Sequence, residues 1–191
     1  MVLSDVDIKK LLLSGDLVVD PLPDLESRLG PCSIDLRLGN TFKVFEHSRV
    51  PYIDVRQKFD PDHIMRTFEI ADGDSLVMQP GELILAVTVE RLEIPDYLLG
   101  RLEGRSSLGR LGIIVHGTAP RFDPGWVGNA VMELGNIGRI PICLSPGMPI
   151  CSMTFEQITS PAERPYRLRP GSKYVNQDGP HGSRLSQETG E

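Results

Sequence analysis

Residues 104–134 read GRSSLGRLGIIVHGTAPRFDPGWVGNAVMEL, and the rest of the chain is read outward from them. Two short apolar runs, 112–115 and 129–134, lie between Gly and Pro punctuation. Runs that short, bounded by turn formers, predict strands rather than helices. The polar residues between them are few and clustered. Arg105 and Arg110 flank Ser106-Ser107, and His116-Gly117-Thr118-Ala119 follows the first run. Asp123 precedes Pro124-Gly125, and a lone acid, Glu133, sits near the end of the second run.

The same punctuation extends both ways. Asp72-Gly73, Pro80-Gly81, Pro95-Asp96 and Pro146-Gly147 are turn dipeptides. Between them, 75–78, 83–89, 98–103, 142–144 and 150–155 are further short apolar segments. Short strands at turn-sized intervals predict a β-sandwich or barrel. Upstream, 33–38 alternates cleanly, with Ile34, Leu36 and Leu38 on one face and Ser33, Asp35 and Arg37 on the other. Gly39-Asn40 is read as a turn into a second strand, 41–45, and 51–63 as a polar excursion with one short strand around Ile53. Residues 17–19 form a strand stopped by Pro21 and Pro23. The chain opens on a short amphipathic helix: Ser4 is its N-cap, Asp5 and Asp7 favour the positive end of its dipole, Ile8, Leu11 and Leu12 share a face, and Gly15 ends it.

Composition bounds the function. At 191 residues, with 40% hydrophobic and 24% charged side chains, the chain suits one domain with one core. A net charge of -6 argues against binding to nucleic-acid backbone but permits a small anionic ligand in a locally basic site. Cys32, Cys143 and Cys151 make an odd set with no C-x-x-C pair, which predicts reduced thiols in a cytoplasmic protein and no zinc. No stretch has the length of a signal peptide core or a membrane span. The tail beyond Pro161 starts basic, with Arg164, Arg167, Arg169 and Lys173, and is poor in large apolar residues from Asn176. It reads as a frayed terminus or as an arm that orders over a ligand or a neighbouring subunit.

Each candidate group has a plain reading and a chemical one. Residues 105–110 suit a helical turn started by a serine cap, with arginine forks fit for phosphate, or a capped connection with solvated arginines. Glu133 among apolar neighbours suits proton transfer, or is a strand-end carboxylate facing water. Asp123 forms a turn or accepts a sugar hydroxyl. His116 reads by default as a structural histidine, and Trp126, the only tryptophan, as packing. There is no G-x-S-x-G elbow and no P-loop.

Together these residues closely resemble the dCTP deaminase family of the dUTPase-like superfamily. The resemblance rests on Gly104-Arg105-Ser106-Ser107-Leu108-Gly109-Arg110, His116-Gly117-Thr118-Ala119, Asp123-Pro124-Gly125-Trp126 and the strand from Asn129 to Glu133. Leu3-Ser4-Asp5, Ser33-Ile34-Asp35-Leu36-Arg37-Leu38-Gly39, Arg164-Pro165-Tyr166, Ser172-Lys173-Tyr174 and Gln177 extend it over almost the whole chain. It implies one domain over 1–191: a mainly β, distorted barrel or jelly-roll-like core, a short N-terminal helix and a C-terminal arm, with 176–191 as a flexible lid. It implies a cytoplasmic homotrimer with shared active sites, and deamination of dCTP to dUTP on a magnesium-complexed triphosphate without zinc. Glu133 would be the proton shuttle, with Ser106 and Arg110 beside the attacking water. Ala119, Arg121 and Val131 would lie on the substrate, and Asp123 on the 3′-hydroxyl. Arg105, Ser107, Lys173 and Gln177 would hold phosphates, and Tyr166 would close the site.

The family divides into members that only deaminate and members that also release pyrophosphate to give dUMP. Arg121 and Trp126 match the first branch, while Pro120 fits neither pattern. Residues His116, Gly117 and Thr118 fall where the family carries a switch through which dTTP inhibits, and Gly117 replaces a bulkier residue often found there. A plain dUTPase fits less well, because it carries Ser-Gly where this chain has Ser106-Ser107 and ends in a glycine-rich arm. A non-catalytic nucleotide-binding barrel would have no reason to keep Glu133 and Arg110.

Overall fold

The computed structural model describes residues 1–46 and 50–187. The opening helix forms as its caps dictate. Helix α1 spans Asp5–Ser14, the Ser4 side chain accepts the Asp7 N–H, and Gly15 ends the helix at φ 79°. Ile8 and Leu12 are its buried residues. Strand β1 (Val18–Asp20) and a single helical turn, α2 (Leu25–Arg28), follow.

Ten more strands are antiparallel to their neighbours. They are β2 (Ser33–Phe45), β3 (Met65–Glu69), β4 (Leu76–Met78), β5 (Leu83–Glu93) and β6 (Leu98–Gly104). After the short helix α3 (Ser106–Gly109) come β7 (Ile113–Ile114), β8 (Arg121–Phe122), β9 (Val127–Asn136), β10 (Ile142–Leu144) and β11 (Pro149–Gln157). The main sheet runs β7-β9-β5-β2-β11-β6-β8, with β1 on β5 and β3 on β2; β4 and β10 pair separately. The mainly β expectation therefore holds.

Strand β2 organises this sheet. Its first half pairs with β11, and its second half pairs with β3 and β5. The alternation of 33–38 is realised, because Ile34, Leu36 and Leu38 are fully buried. The turn expected at Gly39-Asn40 is absent. The strand continues to Phe45, with a register shift against β5 between Leu38 and Phe42. Glycine is needed there for close approach: a Cβ on Gly39 would stand 2.9 Å from the Val87 carbonyl oxygen. No strand forms around Ile53; a 3₁₀ turn, Pro61–His63, ends that excursion and leads into β3, which was not foreseen. Lys43 of β2 is ion-paired to Asp62 and ties this turn to the sheet.

The core lies inside the curve of the sheet. Phe42, Met78, Leu102 and Phe155 are all nearly or fully inaccessible within it. Each such side chain contributes roughly 1.5–3 kcal/mol when buried. The ends of the path, β7 and β8, are not neighbours in the ladder, and the chain from Val115 to Pro120 crosses between them. This crossing is tied at both ends: the Glu133 N–H donates to the Val115 carbonyl at 3.1 Å, and the Leu102 N–H to the Pro120 carbonyl at 2.8 Å.

The tail lies against the body of the same chain. Gln177 forms a parallel bridge with Gly128, and the Asn129 N–H donates to the Gln177 carbonyl at 2.7 Å. The tail is thus seated on the body at Gln177, and again at Gly182, which is buried against Pro61. The last four residues of the 176–191 segment lie outside the described residues.

Candidate active site

A cavity of about 500 Å³ opens between β9, the crossing and the tail. Seven of the expected residues line it: Ala119, Arg121, Asp123, Val131, Glu133, Tyr166 and Gln177. Strand β9 explains part of this. Val131 and Glu133 are two apart, so both point to one face. Across the sheet Glu133 pairs with Leu85, which with Leu83 and Val131 makes the floor beside the carboxylate apolar. Lys43, the next residue across, is ion-paired to Asp62.

Glu133 is half-buried, and its carboxylate is held by the backbone of the crossing. The Gly117 N–H donates to Oε2 at 2.7 Å. A Cβ on Gly117 would come within 2.8 Å of that same oxygen, so only glycine fits without displacing the carboxylate. One carboxylate oxygen is thereby engaged, and an acceptor remains for a water or a base edge.

Asp123 forms an ion pair with Arg121, Nε to Oδ1 at 2.8 Å. Trp126 packs under this turn, edge-on to Phe122 with centroids 5.0 Å apart and beside Tyr166 at 5.1 Å. The Tyr166 hydroxyl accepts the Tyr174 N–H at 3.1 Å, fixing the start of the tail over the cavity. Gln177 is buried, and its side-chain amide donates to the Asn129 carbonyl at 3.5 Å. His116, read as a satisfied structural residue, has a buried Nδ1 with no hydrogen-bond partner among the described residues. The crossing carries no ladder that could supply one.

The remaining expected residues do not line the cavity. Ser106, Ser107 and Arg110 are exposed on or next to α3, and Arg105 and Lys173 are half-buried elsewhere. The serine cap expected for this turn is also absent. Arg105 occupies the N-cap position, with no side-chain cap bond. Its guanidinium points back to the sheet instead, to Asp35 and the Pro149 carbonyl. His116, Gly117 and Thr118 sit in the crossing itself and do not line the cavity either.

The sequence reading missed the outer wall. Phe45, Phe59, Ile64 and Met65 line the cavity, with Tyr174 and His181 from the tail. A segment read as a polar excursion hides apolar residues at its end, and only the strand that follows brings them over the site. Burial raises the Cys151 thiol above its ordinary range, with the charges of Glu90 and Asp35 adding to the effect. All three cysteines are free. Among the described residues no cluster of His, Cys, Asp or Glu could hold a metal ion, and no helix is long and apolar enough to cross a membrane.

Comparison with known proteins places this geometry in a family. Residues 2–158 match the family model described as dCTP deaminase-like. A dCTP deaminase of Thermomicrobium roseum is 56% identical over 188 residues, covering 98% of this chain and 95% of its own. A dUMP-forming dCTP deaminase of Dictyoglomus thermophilum is 50% identical over 186 residues, covering 97% and 95%. The crystal structure of a 2′-deoxycytidine 5′-triphosphate deaminase from Agrobacterium tumefaciens shares the fold, with a TM-score of 0.63 at 20% identity. That match covers 82% of this chain and 48% of the other. The chain belongs to the dCTP deaminase-like family.

Proposed function

We propose that the protein hydrolyses the 4-amino group of dCTP to give dUTP and ammonia. The observation that carries this reading is Glu133, a carboxylate on a largely apolar floor, in one cavity with Asp123 and Ala119. Glu133 takes a proton from water as the water oxygen attacks C4 of the cytosine. The two protons of that water end on N3 and on the departing ammonia, so one carboxylate serves as base and then as acid. Asp123 accepts the deoxyribose 3′-hydroxyl once Arg121 turns toward the nucleotide. Ala119 and Val131 flank the pyrimidine, and Tyr166, Lys173 and Gln177 belong to the closing tail. The substrate is the magnesium complex of the triphosphate, with no zinc at the base, and the setting is cytoplasmic.

Ser106 and Arg110, needed beside the attacking water, and Arg105 and Ser107, needed at the phosphates, lie away from this cavity. We therefore read the site as completed by another copy, in a homotrimer whose α3 segments face their neighbours' cavities. Light scattering at micromolar protein tests this, and a monomeric mass overturns it. dTTP is the expected feedback inhibitor, acting through His116, Gly117 and Thr118.

Ammonia release from dCTP and magnesium tests the reaction, and its absence under varied conditions refutes it. Glu133→Gln is expected to lower turnover by about 10²-fold or more while dCTP still binds. A second reading, release of dUMP and pyrophosphate, has support in the Dictyoglomus relative named as dUMP-forming. Arg121 and Trp126 favour dUTP, and chromatography of the product decides between them.

A further inference from the structure

We infer that Asp35 aims Arg105 at the triphosphate and so sets how tightly the nucleotide is held. The inference rests on the proposed role of Arg105 as a phosphate ligand. Asp35 stands abreast of Ser152 on β11, which stands abreast of Glu103 on β6. Two residues beyond Glu103 the chain has left the strand as Arg105. Asp35 therefore faces two arginines, Arg37 on its own strand and Arg105 across the sheet.

Arg37 already has an acid. Its Nε lies 2.6 Å from Glu90 Oε1, and its backbone N–H donates to Glu90 Oε2 at 2.8 Å. Glu90 is wholly buried and spends both oxygens there. Asp35 is left to Arg105, with Oδ2 3.2 Å from Nε, while Arg105 Nη1 donates to the Pro149 carbonyl at 3.4 Å. The root of the residue is fixed as well, because its carbonyl accepts the Leu108 and Gly109 N–H groups at 3.0 Å each. Arg105 is thus held at two of its nitrogens, Nε and Nη1, on a side chain that stays 37% exposed. A planar fork held this way meets a phosphate without first losing its rotamer freedom.

A carboxylate beside a phosphate ligand lowers the local positive potential, so charge and orientation predict opposite signs. If Asp35 were only a neighbouring charge, Asp35→Asn would tighten nucleotide binding. If it aims the fork, Asp35→Asn loosens binding. We expect KM for dCTP to rise about tenfold with kcat within about twofold, and the preference for dCTP over dCMP to shrink by a similar factor. Arg105→Ala should raise KM at least as much, and the double variant should be no worse than Arg105→Ala alone. An unchanged or lower KM in Asp35→Asn, with KM raised in Arg105→Ala, overturns the role of Asp35 and leaves Arg105 a phosphate ligand. An unchanged KM in Arg105→Ala removes that ligand role and the inference with it. Should Asp35→Asn not fold, Asp35→Glu keeps the charge on a longer stem, and a smaller rise in KM is expected; no rise counts against the inference.

Discussion

Gly117 shows how much one atom's absence can decide. Its N–H reaches Glu133 Oε2 because no side chain stands between them. Its backbone is not in the left-handed region, so Gly117→Ala adds no torsional strain. The new methyl would press only on the carboxylate, the far end of a side chain that can move. The fold should therefore survive while the proton shuttle shifts. We expect kcat to fall about 10–100-fold with little change in melting temperature, measured by steady-state kinetics and calorimetry. At this scale the sequence was partly legible. Glu133 and Asp123 could be picked out because each is a lone acid beside apolar or turn residues. The bond from Gly117 could not, because its donor is backbone and its partner lies 16 positions away.

Among the elements, the tail and the turn before β3 depend on each other. Gly182 is buried against this turn, and a Cβ on it would stand 2.6 Å from Pro61 Cβ and 3.4 Å from Met65 Sδ. Gly182→Val should keep the tail from seating. We expect KM for dCTP to rise about tenfold and proteolysis of the tail to speed up, read on the folded protein. The helix and most strands were legible because their caps and periods are local. Strand β2 was misread as two, because a glycine that lets another backbone approach looks the same in sequence as one that turns. The β3 and β8 segments were missed because they take their register from β2 and β6, and their own composition is undistinguished.

For the whole molecule, the gravest single loss should come from a residue outside the cavity. Removing the Arg37 side chain would leave the wholly buried Glu90 carboxyl without its ion-pair partner, held only by the backbone N–H of residue 37. Arg37→Ala is expected to cost about 3–5 kcal/mol of stability by chemical denaturation. The pairing of Arg37 with Glu90, 53 positions away, could not be read from the sequence. Nor could the position of α3 away from the cavity, which makes the assembly part of the proposed site. One consequence follows from the crossing of 115–120 between the open edges of the sheet. The Gly117 amide is tied to no strand and to a single side-chain oxygen, so its proton can exchange with solvent without any ladder opening. Its deuterium uptake is then an internal gauge of the Glu133 carboxylate, reading how long that group rests on the backbone in protein that carries no label and turns over no substrate.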